Sequence, residues 1–412
     1  MNLHMKKVHV IRLLFSAFVV FQACELVDNG EDKNLIFDNN SPLELHTVSQ
    51  ILSSIPLSQE QVMEVYDAVT ASSDNGYDEE YTMKNLFKSP GAGVGDPLTK
   101  SSTAYEVPLR KLIEDHLRNM NVTKSSVNHS IEVLGVDGFL QALQDSDIQI
   151  YWPFSENYDM NEMPIITFDP EDGSDVNIGY RIIDDGDGFR HVEEIVVDEA
   201  MAEVHPVWVV NRNSDAEYTS LEMLRREDPE WGEGGGNLII NPQNIARTKS
   251  GSASFMTLVL KDFTMKRNYD AWFAGASEFF VKVGAVEDFT ASTEAELRLY
   301  TPSVTDFMIV VKRSQKGQPV PFNAVLVSEW SDQMTHCAFM ITEDDGGTIT
   351  SWDCTALVRV ASKSYGVEIK IPFNSRDDIV WRGQLASTWF EKNNKQVAHF
   401  GDVDLTFEVM KY

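Results

Sequence analysis

A histidine and a glutamate share one face of a predicted strand, and side chains of these types can hold a metal or transfer a proton. His191 and Glu193 are two residues apart, and residues at that spacing point to the same side of a strand. Three nearby side chains could complete a zinc site or an acid–base pair with them: Asp198, Glu199 and His205. Apolar residues continue the same face beyond Glu193, so the simpler interpretation is a mixed strand with a histidine at its edge.

Signatures of the common catalytic sites are absent from the sequence. The chain contains no His-Glu-x-x-His, no Gly-x-Ser-x-Gly and no clustered set of cysteines and histidines. Cys337 directly follows His336, but neighbours on a strand point to opposite faces, which argues against a nucleophile and its base. The sequence therefore favours binding over catalysis.

Two cysteines flank a strong turn signal. Asp345 and Gly346 form an Asp-Gly pair, which is typical of a two-residue hairpin turn. Counting outward from this turn places Cys337 opposite Cys354 in a non-hydrogen-bonded pair, where Cα atoms approach to ~4.5 Å, within the range of a disulfide. The same register places Phe339 opposite Trp352. A disulfide is expected in an oxidising compartment, and two reduced cysteines in a core are the alternative.

The first 23 residues have the pattern of a signal peptide. Lys6, Lys7 and Arg12 precede an apolar run from Leu13 to Phe21, and residues 1–23 contain no acidic side chain. The run has about half of the ~20 residues that a membrane-spanning helix needs. Export from the cytoplasm is therefore predicted.

Cys24 directly follows Ala23, and a cysteine after a small residue resembles the lipobox of bacterial lipoproteins. The resemblance implies cleavage before Cys24 and a lipid on its thiol, although Phe21 stands where the family prefers leucine. An ordinary secretory peptide and a transmembrane anchor are the alternatives. Residues 24–42 are acidic and too poor in apolar residues to fold alone, so they are predicted to be a tether. The expected location is the periplasm or the cell surface, with the outer membrane favoured.

The composition limits the partners of the protein. The 412 residues include 64 acidic and 34 basic side chains, for a net charge of -30. This charge repels nucleic acid and anionic lipid, and it suits the binding of cations. Hydrophobic residues make up 42% of the chain, which indicates a folded protein.

The apolar patterns predict a multidomain α+β protein. Residues 43–213 begin with helices, including a capping box at Ser58 and Gln61, and continue as a β-rich region of strands and turns. Residues 214–253 are charged and glycine-rich, which predicts a linker. Residues 254–412 carry strand patterns throughout and predict an antiparallel β-sandwich.

One part of this last region resembles the signature of C2 domains. A strand, Leu258–Phe263, leads through a loop containing Asp270 to Gly275-Ala-Ser-Glu-Phe-Phe-Val-Lys-Val283. The C2 family has a strand, an acidic loop and a Gly-x-Ser-Asp-Pro-Tyr-Val-Lys-Val segment in the same order. Here Glu278 replaces the aspartate, Phe279 replaces the proline, and the loop is longer. The resemblance covers about a quarter of the chain and implies a C2-like fold.

The resemblance also implies a calcium site, because calcium takes six to eight oxygen ligands and two acidic loops can supply them. The ligands carried over by position are Asp270, Glu278, Asp344 and Asp345, with Asp353 as a further candidate. A tight turn at Asp345 would leave less room for a third loop carboxylate, and the register that pairs Cys337 with Cys354 would place Asp353 well down the strand, outside this set. The alternative is that these acids are solvated turn residues.

Two aromatic residues lie on the same loop as Asp270. Trp272 and Phe273 could form an exposed apolar tip that inserts into a membrane or a partner. Alternatively, they could plug the end of the sandwich.

Three functions are compatible with these patterns. The first is a lipoprotein with a binding role, whose C2-like domain contacts a partner protein, a glycan or a membrane with the help of calcium. The second is a hydrolase with its site in the middle region and the C2-like module as an accessory. The third is an architectural protein of the cell envelope. The missing catalytic motifs favour the first.

Overall fold

The computed structural model describes residues 43–88, 105–119, 127–158, 162–184, 190–214, 218–227 and 254–411. Cys24, the predicted signal peptide and the predicted tether lie outside these ranges. In the described ranges, no helix combines the length and the apolar character needed to cross a membrane. Pro42–Tyr412 forms one compact unit.

The described residues contain eight α-helices, most of them in the N-terminal half. They are α1 (Leu45–Ser54), α2 (Gln59–Asp74), α3 (Met83–Leu86), α4 (Leu109–Asn119), α5 (Val127–Gln144), α6 (Glu199–Ala202), α7 (Leu221–Glu227) and, near the C-terminus, α8 (Ser387–Lys392). The predicted capping box starts α2: the backbone N–H of Ser58 donates to Gln61 Oε1 at 2.9 Å. The spacing of Val62, Val65 and Val69 places all three on one buried face of α2.

Six strands form the first sheet. They are β1 (Glu80–Thr82), β2 (Ile148–Tyr151), β3 (Ile165–Phe168), β4 (Val176–Asp184), β5 (Arg190–Asp198) and β6 (Val207–Arg212), in the order β1-β2-β6-β3-β4-β5. Strands β3 and β6 are parallel, and the other neighbours are antiparallel.

Both faces of the first sheet are covered at its centre. Ile150 and Trp208 point into a core shared with the helices. Tyr151 and Val209, which alternate with them, point to the opposite face and join a second cluster. Strand β2 is therefore buried on both faces, and something other than the helices must cover its second side.

Two sheets form the C-terminal half, which we call the sandwich. Its strands are β7 (Phe255–Met265), β8 (Ser277–Ala285), β9 (Ser303–Val311), β10 (Val320–Ser331), β11 (Met334–Glu343), β12 (Ile349–Val360), β13 (Lys363–Asn374), β14 (Asp378–Ala386), β15 (Val397–Phe400) and β16 (Val403–Lys411). One sheet has the order β10-β7-β16-β15, and the other has the order β13-β12-β11-β8-β9 with β14 also paired to β11. Leu258 of β7 and Phe407 of β16 lie in one core with Val281 of β8 and Phe339 of β11. The α+β class is confirmed.

One strand expected in this half from its apolar pattern is wrong. The stretch Ala295–Tyr300 alternates like a strand, but Glu294–Leu299 forms a short 3-10 helix and Leu299 is 78% exposed. Strands β14 and β15 were not predicted, although Ile379, Trp381 and Leu385 of β14 follow a two-residue alternation that could have indicated it.

The predicted linker is packed where the structure describes it. Within residues 218–227, Leu221 is buried in the core of the sandwich. The hydroxyl of Ser220 donates to the carbonyl of Asn75 in the N-terminal half. This stretch is therefore an ordered connection between the halves, and residues 215–217 and 228–253 of the predicted linker lie outside the described ranges.

Candidate functional site

Three carboxylates meet at one end of the sandwich. Oxygen atoms of Asp270, Glu343 and Asp345 all lie within 4.8 Å of one another. Ligands that bind one calcium ion at 2.3–2.6 Å can be at most about 5 Å apart, so the three fit around one ion. Among the described residues, this is the group of histidine, cysteine and acidic side chains whose geometry fits a metal.

The loop between β7 and β8 places Asp270. The hydroxyl of Ser277 accepts a hydrogen bond from the backbone N–H of Tyr269 at 3.1 Å. The guanidinium of Arg313 donates to the backbone carbonyl of Asp270 at 2.6 Å and to the carboxylate of Glu199 at 3.0 Å. Because Arg313 is almost fully buried, these contacts hold Asp270 firmly at the end of the sheet.

Strand β11 and the turn after it supply the other two carboxylates. Glu343 is the last residue of β11 and pairs with Phe279 of β8 and Asp378 of β14. Asp345 follows in the turn and is exposed. Glu343 therefore forms the buried end of the cluster, and the side with Asp345 is open to solvent, so that a cation could enter there.

The buried part of the cluster lacks hydrogen-bond donors. Glu343 is 1% exposed, and its Oε1 has no partner. Oδ2 of Asp270 is also buried without a partner. Burial, followed by the hydrogen bond that the protonated form makes with Asp270 and by the charges of Asp270 and Asp345, raises the pKa of Glu343 to about 11. Two facing carboxylates without donors require a shared proton or a cation.

Repulsion extends beyond these three residues. Burial raises the pKa of Asp270 to about 6, a hydrogen bond with Glu343 opposes this rise, and the charge of Asp345 adds to it. Burial also raises the pKa of Asp345, with Asp378 as the next cause. A divalent cation would neutralise this excess of negative charge, and a site with only carboxylate oxygens suits a hard cation such as calcium.

Two of the predicted ligands belong to the cluster, and the other three do not. Asp270 and Asp345 are in place. Glu278 is buried within β8, and its backbone carbonyl accepts from the N–H of Asp344 at 2.9 Å. Oδ1 of Asp344 accepts from Asn374 at 2.8 Å and from the N–H of Gly346, so it shapes the turn. The exposed Asp353 pairs with Lys370 at 3.5 Å.

Glu343 was missed by the sequence reasoning, although a signal for it was present. Phe339 and Ile341 precede it at two-residue spacing on a buried strand, so a charged residue continues an apolar face. A carboxylate at such a position must be neutralised, which is what marks it as a candidate.

The predicted two-residue hairpin and the disulfide are both wrong. Cys337 pairs with Leu385 of β14, Cys354 pairs with Ile369 of β13, and both cysteines are free. Phe339 likewise does not face Trp352, since it pairs with Val283 and Gly383. The physical reason is that β14 takes the place beside β11, so β12 pairs only with the first residues of β11.

The side chains considered for zinc or acid–base chemistry have separate partners. Nδ1 of His205 lies 2.6 Å from Glu162, Glu193 pairs with Arg181 at 3.8 Å, and Glu199 pairs with Arg313. Asp198 caps α6 by accepting from the N–H of Met201. His191 is exposed on the edge strand β5. These residues do not converge on one site.

Trp272 and Phe273 are buried, but in neither of the predicted places. They are 2% and 0% exposed and pack against the second face of the first sheet, beside Tyr151, Val207 and Val209. They are neither an exposed tip nor a plug of the sandwich. The loop of the sandwich therefore supplies the cover that this face needs.

Hydrogen bonds fix the same loop to the N-terminal half. The indole N–H of Trp272 donates to the carbonyl of Asp175 at 2.9 Å. The side-chain amide of Asn211 donates to the carbonyls of Phe273 and Ala274 at 3.0 and 2.6 Å. The carboxylate of Asp78 accepts from the N–H of Ala276 at 2.9 Å. The loop that carries Asp270 is thus held by both halves.

Glu79 is a buried acid beside this contact. It accepts hydrogen bonds from the hydroxyl and the N–H of Ser155, and Nζ of Lys312 lies 3.6 Å away. Burial raises the pKa of Glu79 to about 8, the charge of Lys312 opposes this rise, and Asp78 and Glu156 add to it. Glu79 is therefore protonated in the folded protein at neutral pH.

The ionisation of Glu79 is expected to make the folded protein less stable as the pH rises. Between its ordinary pKa of 4.5 and the folded value of about 8, the folded protein holds a proton that the unfolded chain has released. The free energy of unfolding should fall by about 1.4 kcal/mol per pH unit in this window because of this group. Urea unfolding from pH 5.5 to 7.5 should give a flatter profile for Glu79→Gln. The exposed Glu368→Gln should match the wild type, and equal slopes for all three proteins would contradict the assignment.

No protein-family model, no curated protein and no solved structure matches this chain. The candidate site is therefore argued from its own geometry.

Proposed function

We propose that this chain is an exported lipoprotein with a binding role, and that a calcium ion held by Asp270, Glu343 and Asp345 supports that role. The observation that carries the proposal is the meeting of three carboxylates within 4.8 Å, in which Oδ2 of Asp270 and Oε1 of Glu343 are buried without a donor from any other residue. A cation between them supplies the missing charge, and the exposed Asp345 gives it an entry path.

Calcium at this place has a structural consequence that fits a binding protein. Asp270 belongs to the loop that packs against the first sheet, and Glu343 and Asp345 belong to the sandwich. An ion bound to all three holds the loop and β11 in fixed positions. The ion is then a support for binding surfaces, and it has no role as a catalyst.

The C2-like assignment is part of this proposal. Strand β7, the loop with Asp270 and strand β8 follow one another in the order of the C2 signature. The turn after β11 brings a second acidic segment to the same end, where C2 domains place their metal. The replacement of Glu278 and Asp344 by Glu343 as ligands is the main departure from that pattern.

Direct measurement of calcium binding tests the proposal. Residues 42–412 form one compact unit and can be produced without the signal peptide. Isothermal titration in chelator-treated buffer should give one calcium per chain, and Asp345→Asn should weaken binding by about tenfold or more because one charged ligand is lost. Asp353→Asn is the matched control, since that carboxylate is exposed and pairs with Lys370. Equal affinities of the two variants would contradict the site.

The lipid anchor needs its own test. Attachment through Cys24 would place the protein on the periplasmic or outer face of a membrane, with the outer membrane favoured, and its partners would be a protein or a glycan there. Cys24→Ala is expected to move the protein from the membrane fraction to the soluble fraction and to abolish labelling with radioactive palmitate. Retention of both in the variant would show that another segment anchors the chain.

A further inference from the structure

A cleft opens where the second sheet of the sandwich divides. Strand β12 pairs with β11 only at Met334 and His336, and β14 takes the place beside β11 from there to Glu343. The hairpin of β12 and β13 therefore separates from β14. The space between them has a volume of about 570 Å³, which lies within the range of small-molecule sites.

The inner lining of the cleft is largely apolar. Ile369 is buried, Trp352 and Cys354 are half-buried, and Gly383 contributes no side chain. A Cβ atom at Gly383 would meet the ring of Trp381 at 2.8 Å, so a larger residue does not fit there without movement of that ring. The guanidinium of Arg382 lies 5.8 Å from the ring centre of Trp352, which helps to fix the indole.

The exposed lining is polar and offers both donors and acceptors. It contains the carboxylates of Asp353 and Glu368, the ammonium of Lys370 and the amide of Gln384. The amide of Gln384 donates to the carbonyl and to the hydroxyl of Thr355, both at 2.7 Å, and so bridges the two walls. Its amide oxygen and the two carboxylates can accept hydrogen bonds from hydroxyl groups.

We propose that this cleft binds a short segment of a neutral oligosaccharide, which names the ligand class of the proposed binding role and rests on that role. A pyranose ring has an apolar face of C–H groups and a rim of hydroxyls. The apolar face matches the indole of Trp352, and the hydroxyls match the carboxylates and the amide of Gln384. Two carboxylates against one ammonium disfavour an anionic ligand, and so does the net charge of -30.

The free thiol of Cys354 does not act on the ligand. It donates to the carbonyl of Ile369 at 3.5 Å, and burial raises its pKa to about 11. The thiol is therefore protonated at neutral pH and is a poor nucleophile. The cleft therefore contains no thiolate nucleophile.

Titration calorimetry of residues 42–412 tests the proposal, with neutral hexasaccharides of α-linked glucose, β-linked glucose and β-linked N-acetylglucosamine as probes. One or more of them should bind with one site per chain. Trp352→Ala should weaken that binding about tenfold or more, and Gln384→Ala should weaken it by about two- to tenfold. Gln384 is exposed, so its variant folds even if Trp352→Ala does not. Arg359→Ala, an exposed change elsewhere on β12, should leave the affinity unchanged.

The outcomes separate this proposal from the calcium proposal, because the cleft and the acidic cluster have no residue in common. Trp352→Ala should reduce oligosaccharide binding and keep calcium binding. Asp345→Asn should reduce calcium binding, and it acts on oligosaccharide binding only through the support that the ion gives to β11. The cleft proposal is overturned if none of the neutral hexasaccharides binds, or if binding is unaffected by both cleft variants. It is also overturned if an oligogalacturonate or an extended peptide binds through Trp352 in their place.

Discussion

Glu343→Gln is expected to stabilise the protein in EDTA and to abolish its stabilisation by calcium. In the metal-free protein, burial and the charge of Asp270 disfavour the charged form of Glu343. At neutral pH the unfolded chain must take up a proton at Glu343 in order to fold, and a glutamine at 343 removes this cost. Its amide can also donate to Oδ2 of Asp270, so the free energy of unfolding should rise by about 1–3 kcal/mol.

Thermal melts of residues 42–412 in EDTA and in calcium check both parts of this prediction. At a calcium concentration of ~100 times the dissociation constant, the wild type should gain about 2.7 kcal/mol, which for a chain of this length moves Tm by about 3–4 °C. The variant should melt higher than the wild type in EDTA and show no shift with calcium. A melt with magnesium at the same concentration tests whether the site prefers calcium.

Glu368→Gln is the matched control, because this glutamate is exposed on β13 and distant in sequence from the cluster. It should leave both melts unchanged. A Glu343→Gln protein that is less stable than the wild type in EDTA, and that still responds to calcium, would show that the carboxylate has another role. The acidic cluster would then be only a group of turn residues around a protonated glutamate.

Trp272→Ala is expected to lower the free energy of unfolding by about 3–5 kcal/mol, the cost of removing a fully packed tryptophan. The side chain is 2% exposed, fills a cluster with residues of the first sheet and donates to the carbonyl of Asp175. Because this contact joins the two halves, its loss should also divide one melting transition into two. Differential scanning calorimetry measures both effects.

Two further variants identify the cause of the stability loss expected for Trp272→Ala. Trp272→Phe keeps most of the packing and loses the hydrogen bond to Asp175, so its cost should be only about 1–2 kcal/mol. Val196→Ala, on the 67% exposed valine of β5, should change stability by less than about 0.5 kcal/mol. If Trp272→Ala leaves the melt unchanged and instead weakens binding to lipid vesicles, the tryptophan is an exposed tip and the packing described here is wrong.

Local patterns in the sequence predicted local structure well. The spacing of Val62, Val65 and Val69 and the capping box at Ser58 depend only on residues close in the chain, and α2 forms as predicted. The same is true of the strand β7, the loop after it and the strand β8. Each of these elements is determined by a periodicity that can be read from its own residues.

Long-range pairing was not predictable from such patterns. The Asp345-Gly346 pair indicates a tight hairpin only if the two flanking strands pair with each other. Strand β14, which follows them in the chain, pairs with β11 along most of its length. No residue near the turn carries information about that competitor, so the register of Cys337 and Cys354 could not be found locally.

The sequence predicted only part of the candidate site, because the rest depends on long-range pairing. Asp270 and Asp345 lie in loops and fit the C2 pattern by position. Glu343 was overlooked because it ends a strand, and its burial depends on Phe279 and Asp378 on the neighbouring strands. The role of Trp272 depends on an uncovered face of a distant sheet, which a sequence pattern cannot show.

The packing of the loop against the first sheet has a consequence for gene rearrangement. A sandwich cut out at residue 254 would carry Trp272 and Phe273 on its surface, and the N-terminal half left behind would expose Val207 and Val209. Neither fragment could be recombined with an unrelated partner without new apolar residues to replace the lost half. We therefore expect the two halves to be inherited together, and substitutions in the loop to be accompanied by compensating changes in β6.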